Sequence, residues 1–139
     1  MKIEAALFEL VPTHAFGIAR GTSTSYQTIL LRMEVGGVES FGEAFPSSRY
    51  EHTAEENLHI LKHYPLRDLD ELRDRFQPVI FHRWAQDHSQ GVQSLVSGLN
   101  SLYWDYFAQR LRIPVAALTG FHGMDVPQSS FTIGIDEPE

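Results

Sequence analysis

A glycine pair, Gly36-Gly37, separates the strongly apolar run Thr28–Val35 from a second run, Val38–Ala44. Tight two-residue hairpins need positive φ at their central residues, and glycine adopts it without a Cβ clash. The pair therefore predicts an antiparallel hairpin over 28–44. Upstream, residues 2–11 read as a further strand, halted by Pro12, which has no N–H for a sheet ladder. Residues 20–25, Arg-Gly-Thr-Ser-Thr-Ser, read as a polar loop between the two. The first 45 residues are thus expected to form a three-stranded antiparallel meander.

Beyond residue 50 the period changes. Thr53 is expected to cap a helix with Glu55 and Glu56 in its first turn, where the helix dipole favours acids. That helix runs to about Tyr64 and stops at Pro65. A second helix is expected to start near Asp68 or Asp70, and to end before Pro78 or continue past it as a kinked turn. A third spans roughly Gly91–Leu111, with Val92, Leu95, Val96, Leu99, Leu102, Tyr103 and Phe107 at helical spacing and Pro114 beyond its end. Residues 83–90 are read as the loop between these helices. The predicted class is α+β, a three-stranded antiparallel meander followed by a three-helix bundle. Phe131–Ile135 then reads as a strand with no successor. Its unpaired backbone groups call for a partner, so it is expected to begin a further domain or to pair back. Its free edge, over 129–136, is expected to drive self-association or domain exchange of the isolated chain, and a homo-oligomer is expected.

At 139 residues the chain has room for one domain, or one domain and a stub. A net charge of −7 argues against nucleic acid and against an anionic membrane surface. No run approaches the ~20 apolar residues of a membrane span. Met1-Lys2-Ile3-Glu4 does not read as a signal peptide, so a cytoplasmic location is expected. With no cysteine, disulfides, thiolate metal sites and thiol catalysis are excluded. Lysine occurs twice, at Lys2 and Lys62.

Most candidate constellations reduce to ordinary structure. His59 and His63 stand four apart on the first helix, a spacing that suits a divalent metal. No third ligand accompanies them, so they read as surface or half-buried histidines. Thr22, Ser23, Thr24 and Ser25 lack the Gly-x-Ser-x-Gly setting of a nucleophile. Trp104 reads as packing, and Asp105 as a structural partner for a backbone or arginine group. Arg20 and Arg49 stand out more, since each follows a strand and can take a carboxylate in bidentate fashion. They gain weight only if both loops face one site.

Several segments match one pattern in order. Phe16–Thr24 resembles the first mobile loop of enolase-superfamily capping domains, and Phe41-Gly42-Glu43-Ala44-Phe45-Pro46 the strand end that follows. Arg49-Tyr50-Glu51-His52-Thr53 is similar to the second loop. Leu102-Tyr103-Trp104-Asp105 with Arg112–Gly120 resembles the last cap helix and its exit, and Ser130–Glu139 the first barrel strand. Within the superfamily, the muconate-lactonizing subgroup is nearest, and its L-Ala-D/L-Glu-type dipeptide epimerases fit best. The chain departs from the pattern at Ser40, where a glycine is usual, at His52, where a glutamate is usual, and at Gly98 and Asn100 in the long helix.

The resemblance implies a capping domain over residues 1–125 and the start of a (β/α) barrel over 126–139. It implies that the intact protein is a racemase or epimerase. Its Mg²⁺ would be held by the barrel, and lysines would abstract and return an α-proton through an enediolate. The family's lysines and acidic metal ligands lie on later barrel strands, so no catalytic residue and no metal ligand is expected in this chain, and the fragment alone is expected to be inactive. Arg20, Thr22, Thr24, Arg49, Tyr50 and Thr132 are the implied substrate contacts. The implied partners are the chain's own barrel and a small dipeptide or carboxylic-acid substrate. Alternatives within the family are a muconate cycloisomerase or an o-succinylbenzoate synthase-like member. Outside it stands a free-standing, non-catalytic dimerisation or binding domain.

Overall fold

The computed structural model describes residues 2–13, 16–18, 21–47, 52–64, 70–121, 123 and 125–130. Its strands are β1 (Lys2–Leu10), β2 (Phe16–Ile18), β3 (Gly21–Ser23), β4 (Tyr26–Val35) and β5 (Val38–Ala44). The helices among the described residues are α1 (Ala54–Lys62), α2 (Asp70–Arg73), α3 (Pro78–His88), α4 (Gln93–Leu111) and α5 (Val115–Leu118). Strands β1, β4 and β5 form the expected antiparallel sheet, in the order β1-β4-β5. The turn from β4 to β5 is made by Gly36 at φ 58° and Gly37 at φ 77°, the region that the glycine pair was expected to supply.

The sheet has two unlike faces. Ile29, Leu31 and Met33 alternate inward along β4 and are buried. On the other face Arg32 bonds Glu4 at 2.9 Å, Glu34 at 3.3 Å and also Glu39, bridging all three strands. These groups are exposed, and such pairs contribute little each. The ladder and the buried face hold the sheet.

Helix α1 starts as expected. The Thr53 hydroxyl accepts the Glu56 N–H at 3.1 Å, a cap worth about 1 kcal/mol. Its end is tied to α3 by the Tyr64 and Ser89 hydroxyls, 2.6 Å apart and buried. Helix α4 is buried at Leu95, Val96, Gly98, Leu99, Leu102, Tyr103, Tyr106, Phe107 and Ala108, so it packs on more than one side. Tyr103 stacks on Phe81 with ring centroids 4.0 Å apart. Its hydroxyl accepts the Gln77 N–H at 2.9 Å and donates to the Arg75 carbonyl at 3.0 Å. Burial raises the pKa of this phenol, which keeps it a donor.

Two glycines let α4 lie directly on β5. A Cβ at Gly42 would sit 2.2 Å from the Gly98 carbonyl oxygen. One at Gly98 would sit 2.8 Å from the Ala44 nitrogen. Seven residues along α4, Asp105 Oδ2 accepts the Phe41 N–H at 2.8 Å, which satisfies a donor on the edge strand. Asp105 thus has the structural role expected of it. Trp104 is half-buried with Phe76 edge-on at 4.9 Å, a packing role.

Three expectations need correction. Residues 83–90 are not a loop, because α3 runs through Arg83 to His88. Pro78 opens that helix instead of ending or kinking the preceding one. Proline's missing N–H costs nothing at the first helical position. Phe81, Trp84 and Ala85 then fall on one buried face. The polar stretch 20–25 is not wholly loop either: β3 pairs with β2 as a short two-stranded sheet. The expected strand at 131–135 lies outside the described residues. Among the described residues, no helix is long and apolar enough to cross a membrane.

Candidate functional site

The sheet register places the candidate loops. The β1–β4 ladder ends at Leu10↔Tyr26, and the β4–β5 ladder ends at Ile29↔Ala44. The close of β1, the start of β4 and the close of β5 therefore lie at one end of the sheet. Residues 11–25 and residues 45–53 both root there. An antiparallel meander with a tight turn at Gly36-Gly37 leaves the two connections no other end.

That end is firmly held. Thr28 is fully buried although it lies on the sheet face that carries the exposed Phe8. Its hydroxyl is 2.7 Å from Glu43 Oε1 and 3.2 Å from the Ala44 carbonyl, and its single proton is shared between these acceptors. Just beyond, the Tyr26 and Phe45 rings meet with centroids 5.8 Å apart and an interplanar angle of 45°. Each ring stands at the root of one loop.

The first loop folds as the β2–β3 pair, with Phe16↔Ser23, Gly17↔Thr22 and Ile18↔Gly21 in register. Thr22 and Thr24 are exposed, so their hydroxyls are open to a ligand. The second loop leads into the Thr53 cap, where His52 Nδ1 lies 3.2 Å from Glu56 Oε2. Ser47 and His52 line a cavity of about 160 Å³ with Gly91, Gln93 and Ser94. Of the six expected contacts, Thr22 and Thr24 are at this end. Arg20, Arg49, Tyr50 and Thr132 lie outside the described residues.

A larger, open cavity of about 640 Å³ lies along α4, with His82, Asn100, Trp104, Asp105 and Val115 among its lining. Three of its polar side chains already make bonds within the fold. Asn100 Nδ2 is 2.7 Å from His82 Nδ1, and Asp105 holds the Phe41 N–H.

Among the described residues, the two helix histidines do not form part of a metal set. His63 Nδ1 is 2.9 Å from the His59 carbonyl, and the two rings are 4.9 Å apart. No group of three His, Asp or Glu side chains that could hold a metal ion occurs among the described residues. The Mg²⁺ implied by the resemblance therefore finds no fitting donors among them. Lys2 pairs in register with Glu34, at the sheet end opposite the loops. Lys62 closes α1, about 12 Å along the helix axis from Ala54. The loop end presents the exposed Thr22 and Thr24 and the Tyr26–Phe45 ring pair. The sequence did not single out Tyr26, Thr28 or Phe45. The register that the glycine pair implies, which sets residue 44 beside residue 29, was the available signal.

No protein-family model matches the sequence. The whole chain aligns at 25% identity with an L-Ala-D/L-Glu epimerase from Bacteroides thetaiotaomicron, spanning 36% of that protein. A dipeptide epimerase from Methylococcus capsulatus, solved with Mg and L-Arg-D-Lys, superposes with a TM-score of 0.77 at 21% identity, over 97% of this chain and 38% of that one. A dipeptide epimerase from Cytophaga hutchinsonii, solved with Mg and D-Ala-L-Val, gives 0.75 at 20% identity, over 98% and 37%. The chain thus spans little more than a third of the relatives it matches, and it resembles, in sequence and in fold, the N-terminal part of dipeptide epimerases of the enolase superfamily.

Proposed function

We propose that residues 1–125 are the capping domain of a dipeptide epimerase and that residues 126–139 open its barrel. In this account the cap chooses the substrate and closes it off from water, while groups outside this chain abstract and return the α-proton. Mg²⁺, present beside dipeptide in the relatives, would be bound outside the described residues. Arg20 and Arg49 would read substrate carboxylate, with Thr22, Thr24, Tyr50 and Thr132 as polar contacts. The observation that carries the proposal is the alignment of all 139 residues with an L-Ala-D/L-Glu epimerase. The common root of the two loops supports it, because a cap that reads one substrate with two loops needs both at one end.

The intact protein, with Mg²⁺ in D₂O, is expected to exchange the α-proton of at least one dipeptide in a panel varying both side chains. The 139-residue chain alone is expected to give none. Absence of exchange by the intact protein across the panel would remove the epimerase assignment. Exchange by the pure 139-residue chain would mean that the chemistry is not downstream.

A further inference from the structure

We propose that Phe45 is a positioning residue, which through its contact with Tyr26 sets residues 21–25 against the root of the second loop at Pro46 and Ser47. Its bearing on substrate rests on the epimerase reading above. Tyr26 directly follows the segment that carries Thr22 and Thr24, and Phe45 directly precedes Pro46 and the second loop. Their rings, 5.8 Å apart, join the two roots. The joint stands on a fixed base, because Ile29 and Ala44 are ladder partners and the buried Thr28 hydroxyl holds Glu43 and Ala44. Pro46 disfavours helical backbone at the residue before it, which keeps Phe45 extended.

Burial does not account for this phenylalanine. It is 44% exposed, whereas Ile29 and Leu31 on the adjacent strand are at 0%. Removing its ring leaves little cavity, so a loss of positioning can be separated from a loss of fold. A ring at a loop root acts by limiting how the two segments sit relative to each other. Loosening segments that hold the substrate equally in the ground and transition states removes uniform binding, which raises KM and leaves kcat nearly unchanged.

The first readout uses the 139-residue chain. Phe45→Ala is expected to speed amide exchange over residues 21–25 about tenfold, to leave Ile29–Met33 unchanged, and to move the melting temperature by less than about 4 °C. Phe45→Tyr keeps a ring and is expected to match the parent. The second readout uses the intact protein, where Phe45→Ala is expected to raise KM for the dipeptide about tenfold with kcat within about twofold, and Phe45→Tyr to restore it. Unchanged exchange over 21–25 in Phe45→Ala overturns the proposal, as does faster exchange with an unchanged KM. Should the unsubstituted intact protein turn over no dipeptide, the epimerase reading fails, and the exchange result alone then decides whether Phe45 couples the segments.

Discussion

Alanine at Gly42 or at Gly98 is expected to cost about 3 kcal/mol or more, lowering the melting temperature by about 10 °C. The reason is where α4 crosses β5. A Cβ at Gly42 would meet the Gly98 carbonyl oxygen at 2.2 Å and the Leu102 nitrogen at 2.9 Å. One at Gly98 would meet the Ala44 nitrogen at 2.8 Å and its Cβ at 2.9 Å. Most of these neighbours are backbone atoms of a ladder and a helix, which cannot swing aside as a side-chain tip can. Relief requires α4 to lift, and lifting it opens the contact that buries Leu95, Leu99, Leu102, Ile29 and Leu31. Alanine favours helix over glycine by about 1 kcal/mol, so intrinsic propensity at Gly98 opposes the expected loss. Thermal melting of both variants against Ser97→Ala, an exposed neighbour, measures the effect. Melting within a few degrees of the parent at both glycines would show that the crossing is loose.

Under the proposed capping role, replacing Arg20 or Arg49 is expected to weaken catalysis by the intact protein without touching the fold. If the cap reads a dipeptide, at least one of Arg20 and Arg49 bonds a substrate carboxylate. A charge-assisted bond contributes roughly 1.5–3 kcal/mol. At about 1.4 kcal/mol per decade, Arg20→Ala or Arg49→Ala is expected to lower kcat/KM about ten- to a hundredfold in the intact protein. Both arginines read from the sequence as loop residues, where substitution costs little stability, so melting is expected to stay near that of the parent. Parental kcat/KM in both variants would show that neither arginine reads substrate. Loss of activity only in step with early melting would make them structural.

Local chemistry made some elements legible and left others obscure. The hairpin over 28–44 was readable because two adjacent glycines at positive φ select one turn. The Thr53 cap was readable because a hydroxyl before two acids has one common use at a helix start. Helix α4 was readable because its apolar spacing persists over five turns. Helix α3 was obscure because Arg83, Gln86, Asp87 and Ser89 have loop-like polarity, and because a proline can end or kink a helix as well as open one, as Pro78 does here. The spacing of Phe81, Trp84 and Ala85 held the correct answer. Strands β2 and β3 were missed because three residues are too few to show a period. For the site, Thr22 and Thr24 came from resemblance and not from any pattern of chemistry. The corner that supports them, Tyr26 with Phe45 and Thr28 with Glu43, depends on cross-strand contacts about 15 to 19 residues apart along the chain. No local signal marks those pairs.

The most direct test is to exchange the cap. Residues 1–125 of the intact protein are replaced by the matching segment of a structurally similar dipeptide epimerase with a different dipeptide preference. The relative kcat/KM across a dipeptide panel is then measured by α-proton exchange in D₂O. If this chain selects and the rest reacts, exchange persists and the preference moves toward that of the donor of the cap. A chimera that folds and exchanges protons with the original preference intact would contradict the account, because selection would then reside outside residues 1–125.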